Sequence, residues 1–270
     1  MLLREVEYAR PESVEDAVWL LGENDNARAL AGGQTLINVM KARAASPDVL
    51  VDLNGLEDLR AIELGADGTL ELGAMVTYTQ LLGSAEAKAR PILGEVVSQI
   101  ADVQVRNRGT IGGNVCANDP TNHLPPLMVA LGATMTIAGS AGERTVPAAD
   151  FFLGVYMTAV APGELLTKIT VPPPQGAGDA FAAVTIGRDG TCIVSVAATV
   201  DGEARMAVGC VAATPVVITS EAEDGAVREA VRGAGLDPPA DVHASADYRR
   251  SIAEVLAARA VAEASTRRKG

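Results

Sequence analysis

The chain has 270 residues, of which 48% are hydrophobic, and it carries a formal net charge of −12. Its length predicts two or three subdomains, and its negative charge argues against binding to nucleic acid or to an anionic membrane surface. The cysteines Cys116, Cys192 and Cys210 include no Cys-x-x-Cys pair, so no iron–sulfur or zinc ligand set is evident. We expect a cytoplasmic protein, because the N-terminus lacks an apolar signal core and no apolar run approaches the roughly 20 residues that span a bilayer.

The first 56 residues predict a small α/β unit. Residues 11–21 read as a helix capped by Ser13, with acidic residues in its first turn and an apolar stripe along one face. Residues 27–30 predict a short strand, 36–44 a helix and 49–53 a buried strand.

A second subdomain is predicted from about residue 57 to residue 174, because from Leu59 the hydrophobic pattern changes to period-two segments broken by glycine. A stretch rich in proline and glycine, residues 172–178, then reads as a linker. The predicted helices of this subdomain cover 79–82, 91–100 and 124–131, and its predicted strands cover 59–64, 69–73, 134–137, 142–146 and 164–171.

The segment after the linker predicts a smaller α+β domain. Alternating residues indicate an antiparallel meander, with turns at Asp189-Gly190 and Asp201-Gly202. The predicted strands are 180–186, 193–200 and 204–210, and the predicted helices are 225–234 and 251–264.

Two glycine-rich motifs carry most of the functional information. The first is Ala31-Gly-Gly-Gln-Thr-Leu36, and the second, Arg106-Asn-Arg-Gly-Thr-Ile-Gly-Gly-Asn114, has three glycines within five positions. Glycine permits sharp turns and close approach of another molecule, and successive free N–H groups form a concave surface that binds phosphate oxygens. Neither motif is a Walker P-loop or a Rossmann fingerprint, and the first alone also fits a plain structural turn. Together, the two predicted loops indicate a dinucleotide site.

The two motifs in this order and spacing make the chain similar to the FAD-binding medium subunits of molybdenum hydroxylases. That group includes the carbon monoxide dehydrogenase medium subunit and the xanthine dehydrogenase flavin domain. The likeness extends over nearly the whole chain and is also carried by Met40-Lys-Ala-Arg43, by Pro120 and Pro125-Pro126, and by Asp241-Val-His-Ala-Ser-Ala-Asp-Tyr-Arg-Arg250.

The resemblance implies an α+β fold: a two-subdomain FAD-binding domain of the vanillyl-alcohol-oxidase/p-cresol-methylhydroxylase type, followed by a smaller α+β domain. The FAD-binding domain would cover residues 1–174, with subdomains of about 1–56 and 57–174. The C-terminal domain, an antiparallel sheet with helices, would cover residues 179–270.

The resemblance also implies which residues contact the cofactor. The backbone of the first motif would surround the pyrophosphate, a second group would form the facing wall, and a third would contact the rings or the ribityl chain. The pyrophosphate group is Ala31, Gly32, Gly33, Gln34, Thr35 and Leu36. The facing wall is Gly109, Thr110, Gly113, Asn114 and Ala117. The group at the rings or the ribityl chain is Ala74, Val105, Leu165 and Leu166.

The chain departs from the family pattern at two positions. His123 stands where an acidic residue is usual, and it is interpreted either as a flavin contact or as a member of a polar network. Thr191 follows Asp189-Gly190 where the family often has an aromatic residue near the isoalloxazine.

The function implied by the resemblance is electron transfer. FAD in this chain would receive electrons from [2Fe–2S] clusters on a small subunit, with substrate oxidised at a molybdopterin centre on a large subunit, and would deliver them to an external acceptor. The complex would be a dimer of heterotrimers. The chain has only two histidines, His123 and His243, so little acid–base equipment is available and no catalytic residue is assigned. The alternatives are a stand-alone FAD-dependent oxidase or reductase of this fold, and a scaffold subunit that has lost flavin function.

Overall fold

The computed structural model describes residues 3–187 and 191–268. In those ranges no helix combines the length and apolar character needed to cross a bilayer. The α-helices are α1 (Val14–Glu23), α2 (Leu36–Lys41), α3 (Tyr78–Gly83), α4 (Pro91–Ser98), α5 (Val103–Arg108), α6 (Ile111–Ala117), α7 (Leu124–Ala130), α8 (Ala148–Phe151), α9 (Asp224–Gly233) and α10 (Ala246–Arg267). Short 3-10 turns cover Leu53–Gly55, Glu57–Arg60 and Glu86–Ala89.

The N-terminal unit is a three-stranded parallel sheet in the order β1 (Glu7–Ala9), β3 (Val49–Asp52), β2 (Ala27–Leu30). All four residues of β3 are buried, as expected for the central strand of a parallel sheet. Helix α1 packs on this sheet, and the Ser13 side chain accepts a hydrogen bond from the Asp16 N–H, as the predicted cap requires.

The middle unit is a five-stranded antiparallel sheet whose order brings β10 into its centre. Helices α3, α4, α6 and α7 contribute buried apolar side chains to the core that covers it. The strands, in spatial order, are β4 (Ile62–Leu64), β5 (Leu70–Gly73), β10 (Leu165–Val171), β6 (Thr134–Gly139) and β7 (Gly142–Pro147); a separate hairpin joins β8 (Phe152–Gly154) to β9 (Met157–Thr158).

The C-terminal unit is a four-stranded antiparallel meander covered on both faces. Helices α9 and α10 pack on one face, and α7 packs on the other, where Ala197 and Ala207 are fully buried. The strands run in the order β11 (Gly178–Thr185), β12 (Cys192–Asp201), β13 (Glu203–Gly209) and β14 (Val216–Glu221).

Several predicted boundaries differ from the structure. The second glycine motif was predicted as a loop, and that prediction is wrong in part: residues 111–117 form helix α6, because Ile111 and Val115 bury one face one turn apart. Helix α10 starts at Ala246 instead of 251, since the Ser245 side chain caps it. No sequence pattern predicted β1, β8, β9, β14, α5 or α8. The predicted Asp189-Gly190 turn lies outside the described residues.

Candidate functional site

The first glycine motif is the connection between β2 and α2. Gly33 has φ +73°, a left-handed conformation that glycine adopts without strain. The Gln34 side chain folds back and donates from Nε2 to the Gly32 carbonyl oxygen at 3.0 Å. The backbone N–H groups of residues 32–35 donate to no acceptor within the described ranges. The turn therefore presents free donors of the kind that bind phosphate oxygens.

The second motif is a break between two short helices. Helix α5 ends at Arg108, Gly109 is extended, and α6 begins at Ile111. Thr110 caps α6, since its hydroxyl accepts a hydrogen bond from the Gly113 N–H at 3.0 Å. The polar residue between the glycines thus fixes the start of the helix.

The two motifs are in direct contact. A Cβ added to Gly32 would overlap the Arg108 carbonyl group and lie 2.9 Å from the Gly109 Cα, and a Cβ added to Gly113 would lie 3.5 Å from the Ala31 Cβ. The backbones can approach this closely only because no side chain separates them. The predicted pyrophosphate and wall residues therefore line one site, although they are about 80 residues apart in sequence.

The residues that directly follow β5 in the middle sheet hold α6 in place. The Gly112 N–H donates to the Ala74 carbonyl at 2.9 Å, and the Ile111 N–H donates to the Val76 carbonyl at 3.0 Å. A Cβ on Gly112 would lie 2.6 Å from the Ala74 Cβ. Ala74 therefore positions the second motif through its backbone.

Asn114 places an unpaired acceptor at the site. Its Nδ2 donates to the Tyr78 hydroxyl at 2.9 Å, and burial raises the pKa of Tyr78 to about 12. The Asn114 Oδ1 is buried and has no hydrogen-bond partner among the described residues. An unsatisfied buried carbonyl is costly, so an incoming N–H or O–H donor would be stabilised here.

Three residues that sequence reasoning missed hold this arrangement. Asn54 donates from Nδ2 to the Ala31 carbonyl at 3.0 Å and so fixes the first motif. Tyr78 orients Asn114. Asn118, which ends α6 with φ +41°, donates to the Gly154 and Met157 carbonyls at 2.7 and 3.0 Å. The Asn-Gly pair after a buried strand was the available signal for Asn54.

The remaining predicted contact residues lie in the core or on the short helices near the motifs. Leu165 and Leu166 are buried core residues of β10. Val105 lies half-buried in α5, and its carbonyl accepts from the Gly109 N–H at 2.6 Å. Ala117 is the last residue of α6. The His123 ring is buried at the start of α7 and packs on Phe181, so its observed neighbours belong to the C-terminal sheet.

The two arginines of the second motif have separate environments. Arg106 donates from Nη1 to the carbonyl oxygens of Ile100 and Ala101 at 2.9 and 2.5 Å, so it stabilises the turn before α5. Arg108 is exposed. Only Arg108 therefore keeps its side chain available to a phosphate or a partner.

Comparison with known proteins defines the class of protein. The family model described as the FAD binding domain in molybdopterin dehydrogenase matches residues 4–174. The chain belongs to this family, and it is an FAD-binding medium subunit of the molybdenum hydroxylase type.

Individual relatives agree with this class over their whole length. The chain is 41% identical to the carbon monoxide dehydrogenase medium chain of Afipia carboxidovorans, covering 97% of this chain and 98% of that one. It is 33% identical to the glyceraldehyde dehydrogenase medium chain of Sulfolobus acidocaldarius, covering 96% and 98%. A crystal structure of Cu,Mo-CO dehydrogenase in its cyanide-inactivated form superposes with a TM-score of 0.92 at 37% identity, covering 99% of this chain and 100% of that one. These relatives are subunits of oxidoreductases.

The residues of the site fit a bound dinucleotide. The free N–H groups of residues 32–35 suit phosphate oxygens. The orphaned Asn114 Oδ1 suits a hydrogen-bond donor on the cofactor. The chain therefore supplies donors and an acceptor of the kinds that a dinucleotide can bind.

Proposed function

We propose that FAD binds at the junction of the two glycine motifs. The contact between Gly32 and the Arg108 carbonyl carries this proposal, because it brings free donors and an unpaired acceptor into one site. The proposed contact residues are Ala31, Gly32, Gly33, Gln34, Thr35 and Leu36 with Gly109, Thr110, Gly113, Asn114 and Ala117. Ala74 and Val105 would position the second motif through their backbone carbonyl groups. Leu165, Leu166 and His123 would act mainly through packing.

Each part of the chain has a distinct task in this proposal. The N–H groups of residues 32–35 would bind the pyrophosphate, and the Thr110 hydroxyl would keep α6 in register with them. Tyr78 would hold the Asn114 carboxamide so that its oxygen accepts from the cofactor. Bound FAD supplies reversible one- and two-electron chemistry, while the protein provides position and electrostatics.

In the complex, the chain would connect an iron–sulfur subunit to an external electron acceptor. Support comes from relatives named as medium chains and from the family description, which includes molybdopterin. The proposed partners are a small subunit with [2Fe–2S] clusters and a large molybdopterin subunit, in a dimer of heterotrimers. A cytoplasmic location remains a prediction.

We further propose that the FAD-binding domain ends near residue 174. The family match ends there, and the C-terminal sheet begins at Gly178. The subdomain boundary near residue 56 is supported by the separate parallel and antiparallel sheets on either side of it.

The test is co-expression of the chain with a candidate small iron–sulfur subunit and a candidate large molybdopterin subunit, followed by anaerobic reduction with the substrate of the complex. We expect the three chains to co-purify and the bound flavin to be reduced only when the iron–sulfur subunit is present. Turnover by the isolated flavin-loaded chain would instead support a stand-alone oxidase or reductase. A colourless chain that still assembles would support a scaffold.

A further inference from the structure

A second connection between the two glycine motifs passes through the turn after β3. Asn54 donates from Nδ2 to the Ala31 carbonyl oxygen in the first motif at 3.0 Å. Arg60 donates from Nη2 to the backbone carbonyl oxygen and to the Oδ1 of Asn54, both at 3.3 Å, and from Nη1 to the Met75 carbonyl oxygen at 3.3 Å. Asn54 and Arg60 therefore form a brace between the first motif and Met75.

Met75 lies between the two residues that hold α6 of the second motif. The Ala74 carbonyl accepts from the Gly112 N–H at 2.9 Å. The Val76 carbonyl accepts from the Ile111 N–H at 3.0 Å. The Met75 side chain is 1% exposed and packs in the same apolar cluster as α1 and β3. The brace therefore ends on a buried segment that positions the second motif.

Asp52 fixes the orientation of the Asn54 carboxamide. Asp52 is buried, and its Oδ1 accepts from the Asn54 N–H at 3.0 Å and from Nδ2 at 2.6 Å, while its Oδ2 accepts from the Tyr8 hydroxyl. The nitrogen of the carboxamide therefore faces two acceptors, and its oxygen faces the Arg60 guanidinium. A flipped carboxamide would set donors against a cation and an acceptor against acceptors. Only the observed orientation satisfies all of these neighbours.

The brace crosses from the parallel sheet to the antiparallel sheet. Asn54 lies two residues after β3, Arg60 lies two residues before β4, and both side chains are half-buried. The contact between Gly32 and Arg108 sets the closest approach of the two motifs, because their backbones meet there. The hydrogen bonds of the brace oppose separation of the motifs. Contact and brace together fix the spacing between the motifs.

We propose that Asn54 and Arg60 are positioning residues for the cofactor, because they set the separation of the two motifs. This inference rests on the proposed FAD site. Neither side chain needs to touch the cofactor: Asn54 acts through the Ala31 backbone, and Arg60 acts through Asn54 and the Met75 backbone. A site that is already held at its bound spacing loses less conformational freedom when the ligand binds. Loss of the brace should therefore lower FAD affinity.

The two members of the brace should act on the cofactor as one unit. We expect Asn54→Ala and Arg60→Met each to lower FAD affinity by about 5- to 20-fold, measured by fluorescence titration of the apoprotein. The double variant should bind FAD about as weakly as Asn54→Ala, because Arg60 reaches the first motif only through Asn54. Effects that multiply in the double variant would overturn the proposal.

Arg28→Met is the matched control for charge. Arg28 is exposed on β2, which leads into the first motif, and its Nη1 donates only to the adjacent Ala27 carbonyl at 2.8 Å. The same charge is lost without a change in the brace, so FAD affinity should stay within about twofold. Arg60→Lys keeps the charge and loses the planar fork, so it should bind FAD as weakly as Arg60→Met. Wild-type affinity in Arg60→Lys would overturn the proposal.

A spectroscopic readout separates positioning from loss of fold. At saturating FAD every variant is loaded, so a weaker fold alone leaves the visible circular dichroism of the bound flavin unchanged. An altered motif spacing changes the surroundings of the ring, so we expect a changed spectrum in Asn54→Ala and Arg60→Lys and a wild-type spectrum in Arg28→Met. Identical spectra in all loaded variants would overturn the proposal. A wild-type chain that binds no FAD would overturn the proposed function, and this inference with it.

Discussion

Gly32 lies so close to Arg108 that any side chain at position 32 would overlap the Arg108 carbonyl group. The contact joins the turn after β2 to the end of α5, and it places the free N–H groups of the first motif beside α6. The proposed dinucleotide site therefore depends on the contact between these two backbones.

Gly32→Ala should separate the two motifs. The overlapping atoms belong to the backbone and cannot rotate away, so we expect a loss of about 1–3 kcal/mol in the free energy of unfolding. FAD affinity, measured by fluorescence titration of the apoprotein, should fall at least about tenfold. Gly225→Ala is the matched control, because its added Cβ meets no atom within 4 Å. Equal FAD affinity in the Gly32 and Gly225 variants would contradict the proposed site.

Asn114→Leu should weaken FAD binding more than it weakens the fold. The substitution removes the Nδ2 donor to Tyr78 and also the Oδ1 acceptor, which has no protein partner among the described residues, so the loss at Oδ1 falls on a hydrogen bond with the cofactor. We expect affinity to fall by about 10- to 100-fold, equivalent to about 1–3 kcal/mol. Tyr78→Phe should lower affinity by a smaller factor than Asn114→Leu, because it removes the partner that orients the carboxamide but leaves Oδ1 in place. Unchanged binding in Asn114→Leu would show that Oδ1 does not face the cofactor.

Tyr78 should make the apoprotein sensitive to alkali. Its pKa is raised from 10.0 to about 12 in the folded state, so the folded protein retains a proton that the unfolded chain loses above pH 10. The stabilisation is complete below pH 10 and is lost between pH 10 and 12, by an amount on the order of 2–3 kcal/mol. Denaturant unfolding at stepped pH should show this loss in wild type and a shallower one in Tyr78→Phe. Parallel pH curves for the two proteins would contradict it.

Arg90 and Asp179 link the segments on either side of the proline-rich linker. Arg90 Nε lies 2.6 Å from Asp179 Oδ2, the two side chains are 4% and 9% exposed, and Arg90 also donates to the Pro172 carbonyl. Arg90→Met leaves a buried carboxylate unpaired, so the free energy of unfolding should fall by about 3–5 kcal/mol.

An exposed ion pair serves as the control for Arg90. Arg228 and Asp224 are paired on α9 with 36% and 69% exposure, so Arg228→Met should cost less than about 1 kcal/mol in unfolding free energy. In the double variant Arg90→Met/Asp179→Leu, part of the stability should return, because no charge is left buried. A similar loss for Arg90→Met and Arg228→Met in urea unfolding would contradict the proposed importance of burial.

Local signals in the sequence were enough to predict much of the fold. Ser13 and the acidic residues after it fixed the start of α1, and the unbroken apolar run at Val49–Val51 identified the buried strand β3. Helix α6 was harder to predict because Gly112 and Gly113 in its first turn obscure its helical period. The available signal was the four-residue spacing of Ile111 and Val115, which places both on one helical face.

Long-range contacts were beyond prediction from the residues alone. The two glycine motifs were identified individually, but the close approach of Gly32 to Arg108 joins segments about 80 residues apart, which no local pattern predicts. The unpaired Asn114 Oδ1 depends on Tyr78, 36 residues away. His123 fitted two interpretations in the sequence, and only the position of Phe181 showed the packing of its ring.

The most direct test of the central claim is the stoichiometry of flavin released by heat from the purified chain, alone and in complex with its partner subunits. We expect about one FAD per chain, with most of it lost in Gly32→Ala and retained in Gly225→Ala. A chain that carries no flavin in either form, even after incubation with excess FAD, would contradict it.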